Sequence, residues 1–303
     1  MLPWFESFIA ALSTRVSEKR LHHALLLSGP KGIGKHEAAN DIARVALCKD
    51  LHAGGDACGV CQSCQLFAAG SHPDFQYVTT EKTQISVDSI REAIQNLHSR
   101  AQLNHNKVLI IASAHLMSES AANALLKTLE EPTESTYILL VTDHASRLLP
   151  TILSRCEKHA LSAPQPEVSI KWLRNKMQDH SNVETIDADL LAAYSNAPMK
   201  VLEFLSNENA KGHAAFNATL DALKNKASDP QTEAQQWQDE LEQVLTWSQL
   251  HIAQRAKQVS ALLSARLWAQ YQECAALSVK ARHAGVNKVL LLTQLFLLLS
   301  ELE

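Results

Sequence analysis

The sequence predicts an α/β core built on a parallel sheet, followed by an all-helical second half. Three observations carry this. Short, continuous apolar runs alternate with segments of helical period between Ala24 and Thr142. A glycine-rich turn, Gly29-Pro30-Lys31-Gly32-Ile33-Gly34-Lys35-His36, joins the first of those runs to a helical pattern. Beyond Ala163-Pro164-Gln165-Pro166 no further strand pattern appears, and helical stripes dominate to the end.

The bulk numbers agree. The chain has 303 residues, 46% of them hydrophobic, enough to bury real cores, and aromatics at 5% favour helices over an all-β fold. A net charge of −4 gives no electrostatic footprint of a protein that grips nucleic acid by itself. Met1 to Ala10 holds Pro3, Trp4 and Glu6, without the basic start of a secretory signal. The most apolar stretch, Val289 to Leu299, is interrupted by Thr293 and Gln294. It is shorter than the roughly 20 residues a bilayer requires. The expectation is a cytoplasmic protein with no membrane partner.

In chain order, residues 1 to 23 read as an amphipathic helix with Phe5, Phe8, Ile9 and Leu12 on one face. Ala24 to Ser28 is the first strand. After the glycine-rich turn, Ala38, Ala39, Ile42, Ala43, Ala46 and Leu47 mark a buried helix face. Cys48 to Gly70 breaks the periodicity. A short strand follows near Phe75 to Val78, then a helix from about Ser86 with Ile90, Ile94 and Leu97 as its stripe. Lys107 to Ala112 reads as a strand buried on both faces. Ser118 to Glu131 reads as a helix with Ser118 as N-cap and Pro132 past its end. Tyr137 to Thr142 is the third buried strand. Composition divides the chain at residues 1–163, 164–206 and 207–303, with Asp229-Pro230 as a turn between helices.

The turn matches the P-loop pattern G-x-x-x-x-G-K up to its last position. Gly29, Gly32, Gly34 and Lys35 suit a phosphate cradle at a helix N-terminus. The next residue should offer Mg²⁺ a hydroxyl, and His36 does not. ATP or ADP binding is therefore doubtful and Mg²⁺ is not expected. A P-loop ATPase also needs acids at the end of a neighbouring strand. The strand Lys107 to Ile111 runs instead into Ala112, Ser113, Ala114 and His115. Neither Ala nor Ser supplies the carboxylate that this position needs to hold the cation and polarise water, so no ATP hydrolysis by the chain itself is expected.

Six cysteines are present and four cluster: Cys48, Cys58, Cys61 and Cys64. Three thiols in the spacing Cys58-x-x-Cys61-x-x-Cys64, with a fourth nearby, suit a closed, tetrahedral structural zinc site. The spacing also admits an iron–sulfur cluster or a reduced thiol cluster. Cys156 and Cys274 stand apart. Ser154-Arg155-Cys156 follows the third strand and a turn at Pro150; alone it has little specificity.

Together these residues resemble the bacterial clamp-loader subunits of the AAA+ class. Ala121-Ala122-Asn123-Ala124-Leu125-Leu126-Lys127-Thr128-Leu129-Glu130-Glu131-Pro132 looks like that family's signature, and Ile152 to Cys156 looks like its Ser-Arg-Cys motif. The four-cysteine insertion soon after the P-loop helix is similar to the family's zinc module. The resemblance is strong from about residue 20 to 160. It implies an AAA+ P-loop core with a parallel sheet and an inserted zinc module (48–64), a small helical lid and an all-α C-terminal collar. The apolar tail from Val289 to Leu302 suits packing inside such a collar.

Motor members of that family carry Thr or Ser at the position of His36 and Asp-Glu at the position of Ala112-Ser113. The departure implies a non-hydrolysing member of the DNA polymerase III clamp loader. Its implied partners are the gamma/tau motor subunits and the delta subunit, and through the complex the sliding clamp and primer-template DNA. Arg155 would be a trans arginine finger, reaching the γ-phosphate of ATP on a neighbouring motor, with Ser154 and Cys156 as its motif. Thr142 falls where the family's first sensor residue would be; the second would lie near Met199, beside Lys200. A free-standing P-loop ATPase and a zinc-dependent DNA-binding protein are the rival expectations. Missing acids oppose the first and negative net charge opposes the second.

Overall fold

Alternation along the apolar strands decides the core. In strand β1 (Ala24–Ser28), Leu25 and Leu27 face one side of the sheet and Ala24 and Leu26 the other, and all four are buried. The computed structural model describes residues 1–300, except 53–54, 81, 104–105, 179–184, 208–209, 282 and 284. It contains a five-stranded, all-parallel sheet with β2 (Phe75–Val78), β3 (Lys107–Ile111), β4 (Thr136–Thr142) and β5 (Glu157–Ala160). The strand order is β2-β3-β4-β1-β5.

Helices cover both faces, as parallel strands require. On one, α1 (Glu6–Ser17) and α2 (Lys35–Leu47) pack Ile9, Leu12, Ala39 and Ile42 onto Leu25, Leu27, Val108 and Val141. On the other, α4 (Val87–His98), α5 (Glu119–Glu130) and α6 (Pro150–Leu153) bring Ile90, Leu97, Leu125 and Ile152 onto Leu26, Leu109 and Leu140. Ser86 and Ser118 cap their helices, accepting from Ser89 N–H and Ala121 N–H.

Three features differ from the sequence reading. The cysteine segment contains a helix, α3 (Gln62–Ala68), whose seven residues are too few to display a period; Cys61 caps it by accepting from Cys64 N–H. The sheet has a fifth strand, β5, which was missed because Glu157-Lys158-His159-Ala160 is polar and lies at an edge. Finally β3 is not beside β1; β4 lies between them.

The described residues form two compact units, Met1–Ala188 with Asn196–Lys200, and Asp189–Ser195 with Val201–Glu303. The first also contains α7 (Pro166–Lys176). Helices α8 (Ala188–Ala193) and α9 (Pro198–Ser206) follow where the division falls. In the second unit, α10 (His213–Lys224), α11 (Pro230–Gln236), α12 (Leu241–Ala256), α13 (Ala261–Lys280) and α14 (Lys288–Ser300) contain no strand among the described residues. Asp229 is the N-cap of α11, accepting from Thr232 N–H, so Asp229-Pro230 starts a helix. The unit's core holds Phe216, Trp237 and Trp247 in ring contact, and the Trp247 indole donates to Ala193 O at 2.9 Å. Leu291, Leu292, Leu295, Phe296 and Leu299 bury one side of α14; Leu302 lies outside the described residues. No described helix is long and apolar enough to cross a membrane.

Candidate functional site

The glycine-rich turn leaves β1 at its C-terminal end and opens α2, the order a P-loop needs. Gly34 is the N-cap of α2 at φ 94°, and Gly32 has φ 81°, both in the left-handed region that favours glycine. Space is closed as well as strained. A Cβ on Gly34 would fall 2.1 Å from Leu2 Cδ1, and one on Gly32 would fall 2.8 Å from Lys200 Cγ. Three loop carbonyls have donors: Lys35 Nζ on Pro30 O at 2.6 Å, Met199 N–H on Gly32 O at 3.0 Å, and the Trp4 indole on Ile33 O at 2.8 Å.

Lys35 does not stand open above the loop. Its side chain is 2% exposed and its ammonium lies 2.6 Å from Asp143 Oδ1. His36 is on the rim, with Nδ1 3.3 Å from the Tyr77 hydroxyl. Burial pushes its imidazole below the usual histidine range, with Lys35 adding to the shift and Glu37 and Asp143 opposing it.

At the end of β3, Ala112 N–H donates to Val78 O at 2.9 Å, and Ser113 turns the chain at φ 52°. Thr142, at the end of β4, is buried. Its Oγ1 accepts from His144 N–H at 3.0 Å and lies 3.1 Å from His115 Nδ1. Sequence reasoning missed Asp143. It looked for acids after β3, whereas β4 is the strand paired with β1, in the register Ser28↔Thr142. The next residue, Asp143, therefore arrives beside Lys35.

Arg155 lies at the opposite end of the sheet, just before β5. It borders an open cleft of about 760 Å³ with His22, His23, Leu129 and Glu130. Its Nη1 donates to Thr151 O at 2.9 Å and to Ser154 Oγ at 3.3 Å, and its Nη2 pairs with Glu130 Oε1. Ser154 Oγ in turn donates to Thr151 O at 3.0 Å. Cys156 points the other way in environment: it is buried, and burial pushes its thiol up to about 11. One neighbour is thus polar and at the rim, the other a small apolar anchor. Glu130 is the second residue missed as a partner, although it lies within the quoted Leu129-Glu130-Glu131-Pro132 run.

Cys48, Cys58, Cys61 and Cys64 come together. Their four sulfurs lie within 4.8 Å of one another, with Cys48–Cys58 at 3.6 Å and Cys58–Cys64 at 3.9 Å. A tetrahedron with Zn–S bonds of about 2.3 Å has edges of about 3.8 Å, so the donor set and its spacing fit such an ion. The frame is rigid. Ser63 Oγ donates to Leu47 O at 2.6 Å and meets His72 Nε2 at 2.7 Å, tying α3 to the end of α2. Without metal, burial pushes the Cys64 thiol up to about 12. At Cys61 burial acts the same way but is outweighed by donors including the Lys49 and Cys64 N–H groups, leaving it at about 6.

Comparison with known proteins extends this picture. The family model described as DNA polymerase III, delta subunit, matches residues 5–165. The DNA polymerase III subunit delta' of Pseudomonas aeruginosa is 40% identical over 199 residues, 65% of this chain and 59% of that protein. The subunit delta' of Escherichia coli is 37% identical over 177 residues, 58% of this chain and 53% of that protein. The matched stretches thus span little more than half the length of these relatives. Among solved structures, a DNA polymerase III gamma subunit-related protein of Thermotoga maritima superposes with a TM-score of 0.55 at 18% identity, covering 97% of this chain and 98% of that one. That likeness concerns the fold alone. The family match includes the P-loop turn, the four cysteines and Arg155, and on it the chain belongs to the delta-prime family of DNA polymerase III subunits.

Proposed function

We propose that this chain is the non-hydrolysing delta-prime component of a clamp loader, acting in the cytoplasm to help place a sliding clamp on primed DNA. Its own P-loop performs no hydrolysis. His36 offers no hydroxyl to Mg²⁺, and Ala112 and Ser113 offer no carboxylate to the cation or to water. Arg155 instead serves the ATP site of a neighbouring gamma/tau motor subunit, where a planar, permanently charged guanidinium stabilises charge developing on the transferred phosphoryl group.

The observation that carries the reading is the setting of Arg155. It is a partly exposed arginine at the rim of an open cleft, held in place by one carboxylate and two oxygen acceptors. In the same reading, residues 1–163 are an AAA+ core, 164–206 a lid and 207–303 a collar that joins the motor and delta subunits. The four cysteines would hold a structural zinc ion, which stabilises the 48–64 insertion and takes no part in chemistry.

The test is reconstitution with motor and delta subunits, wild type against Arg155→Ala. Assembly by size-exclusion chromatography should survive, and clamp- and DNA-stimulated ATP hydrolysis should fall. Unchanged hydrolysis in a complex shown to contain the variant would overturn the proposal.

A further inference from the structure

His36 and Ala112-Ser113 remove the groups that hold and use a divalent cation. Neither change stops a glycine-rich turn and its lysine from taking a phosphate. Yet the lysine is already engaged. Lys35 Nζ lies 2.6 Å from Asp143 Oδ1 and 2.6 Å from Pro30 O, on a side chain only 2% exposed. To the ammonium, a carboxylate oxygen is the same kind of acceptor as a phosphate oxygen: anionic and within direct hydrogen-bond reach.

The carboxylate is delivered by the sheet. Ser28, the last residue before the loop, pairs with Thr142, the last residue before Asp143. The turn after β4 is pinned, since Thr142 Oγ1 accepts from His144 N–H at 3.0 Å and meets His115 Nδ1 at 3.1 Å. The loop keeps its shape without a ligand through the indole of Trp4 on Ile33 O and Met199 N–H on Gly32 O, while Leu2 covers Gly34. An incoming phosphate would have to break the ion pair of a buried lysine with a half-buried carboxylate, and then lie against the displaced carboxylate.

We propose that Asp143 is an internal ligand that fills the phosphate seat of the P-loop, so that the chain refuses nucleotide because the seat is occupied. Nucleoside triphosphates and diphosphates are the ligand class excluded. The inference goes beyond the loss of catalysis and is measured on the free chain, so it stands or falls separately from the role of Arg155.

The experiment is isothermal titration with ATP and with ADP, with and without Mg²⁺. It compares wild type, Asp143→Asn, Asp143→Ala and the double variant Lys35→Ala/Asp143→Ala. Circular dichroism confirms that each is folded. Both single variants should bind ATP at least tenfold more tightly than wild type, whether or not Mg²⁺ is present, and the double variant should lose that gain. Three results would each overturn the proposal: wild type binding as tightly as the single variants, no gain in either single variant, or a gain that persists without Lys35. Should Asp143→Ala fail to fold, Asp143→Asn, which keeps the side-chain shape, decides by the same criteria.

Discussion

The guanidinium of Arg155 is paired with the carboxylate of Glu130, the last residue of α5. A carboxylate at a helix C-terminus sits against the negative end of the dipole and gains from a cation beside it. The helix end and the arginine therefore hold each other. The side chains are 33% and 48% exposed, so the pair is worth under about 1 kcal/mol. Glu130→Gln should barely alter urea unfolding of the free chain. In the reconstituted complex it should lower ATP hydrolysis less than Arg155→Ala does, because the charge remains and only its position loosens. Arg155→Lys should fall closer to Arg155→Ala, since it keeps the charge and loses the fork.

Lys35 and Asp143 form the opposite kind of pair, with Lys35 buried. Removing one partner strands a charge, and such losses run to about 3–5 kcal/mol. Asp143→Ala should lower the urea midpoint of the first unit accordingly. Adding Lys35→Met should restore much of the loss. A double variant no more stable than the single one would show that the stranded ammonium is not the cause.

Metal content gives a third prediction. Purified under reducing conditions, the chain should carry one zinc per molecule by atomic emission. Cys58→Ser should weaken retention under chelator without unfolding the sheet, whose core residues lie elsewhere. Ligation requires thiolates, so affinity should fall as pH falls and protons compete for the sulfurs. Metal-free protein with four intact thiols would refute the assignment.

His251, on α12, predicts a pH dependence in the second unit. Burial pushes its imidazole down to about 4, with Lys224, Arg255 and His213 adding to the shift and Asp221 opposing it. The unfolded chain, near 6.5, binds the proton more readily than the folded one between those two values. Stability from this group is thus present above pH 6.5 and is lost as pH falls toward 4, by up to about 3 kcal/mol. Urea unfolding at pH 7 and at pH 4.5 should show the loss. His251→Leu should flatten it.

The buried strands β1, β3 and β4 were legible because parallel strands covered on both faces are continuously apolar, and Val108 to Ile111 could hardly be anything else. Helices α2 and α4 announced themselves through their stripes, and α5 through Ser118 as its cap. Edge strand β5 carries no such run. Strand order is not written in periodicity at all: nothing in the sequence says that β4 slips between β1 and β3. Asp143, one residue past Thr142, is therefore legible as a partner of Lys35 only once the pairing of β4 with β1 is known. The cysteines were readable from spacing, since thiols close in sequence need little folding to meet. Glu130 and Arg155 were each visible, but their pairing depends on α5 ending where β5 begins, at the same edge of the sheet.

The parallel register of β1 and β5 has a geometric consequence. Leu25 pairs with Glu157 and Ser28 with Ala160, so Arg155 projects from the edge where β1 begins and the P-loop from the edge where it ends. The five residues of β1, at about 3.3 Å each, separate them by about 16 Å of sheet. A contact that brings the Arg155 edge of one subunit to the P-loop edge of another therefore joins two different surfaces of the chain. Where each subunit makes it once, such a contact has polarity, with a giving side and a receiving side. A series of subunits joined only by such one-way contacts runs in one direction, and has distinguishable ends wherever the rotation between neighbours does not close it into a ring.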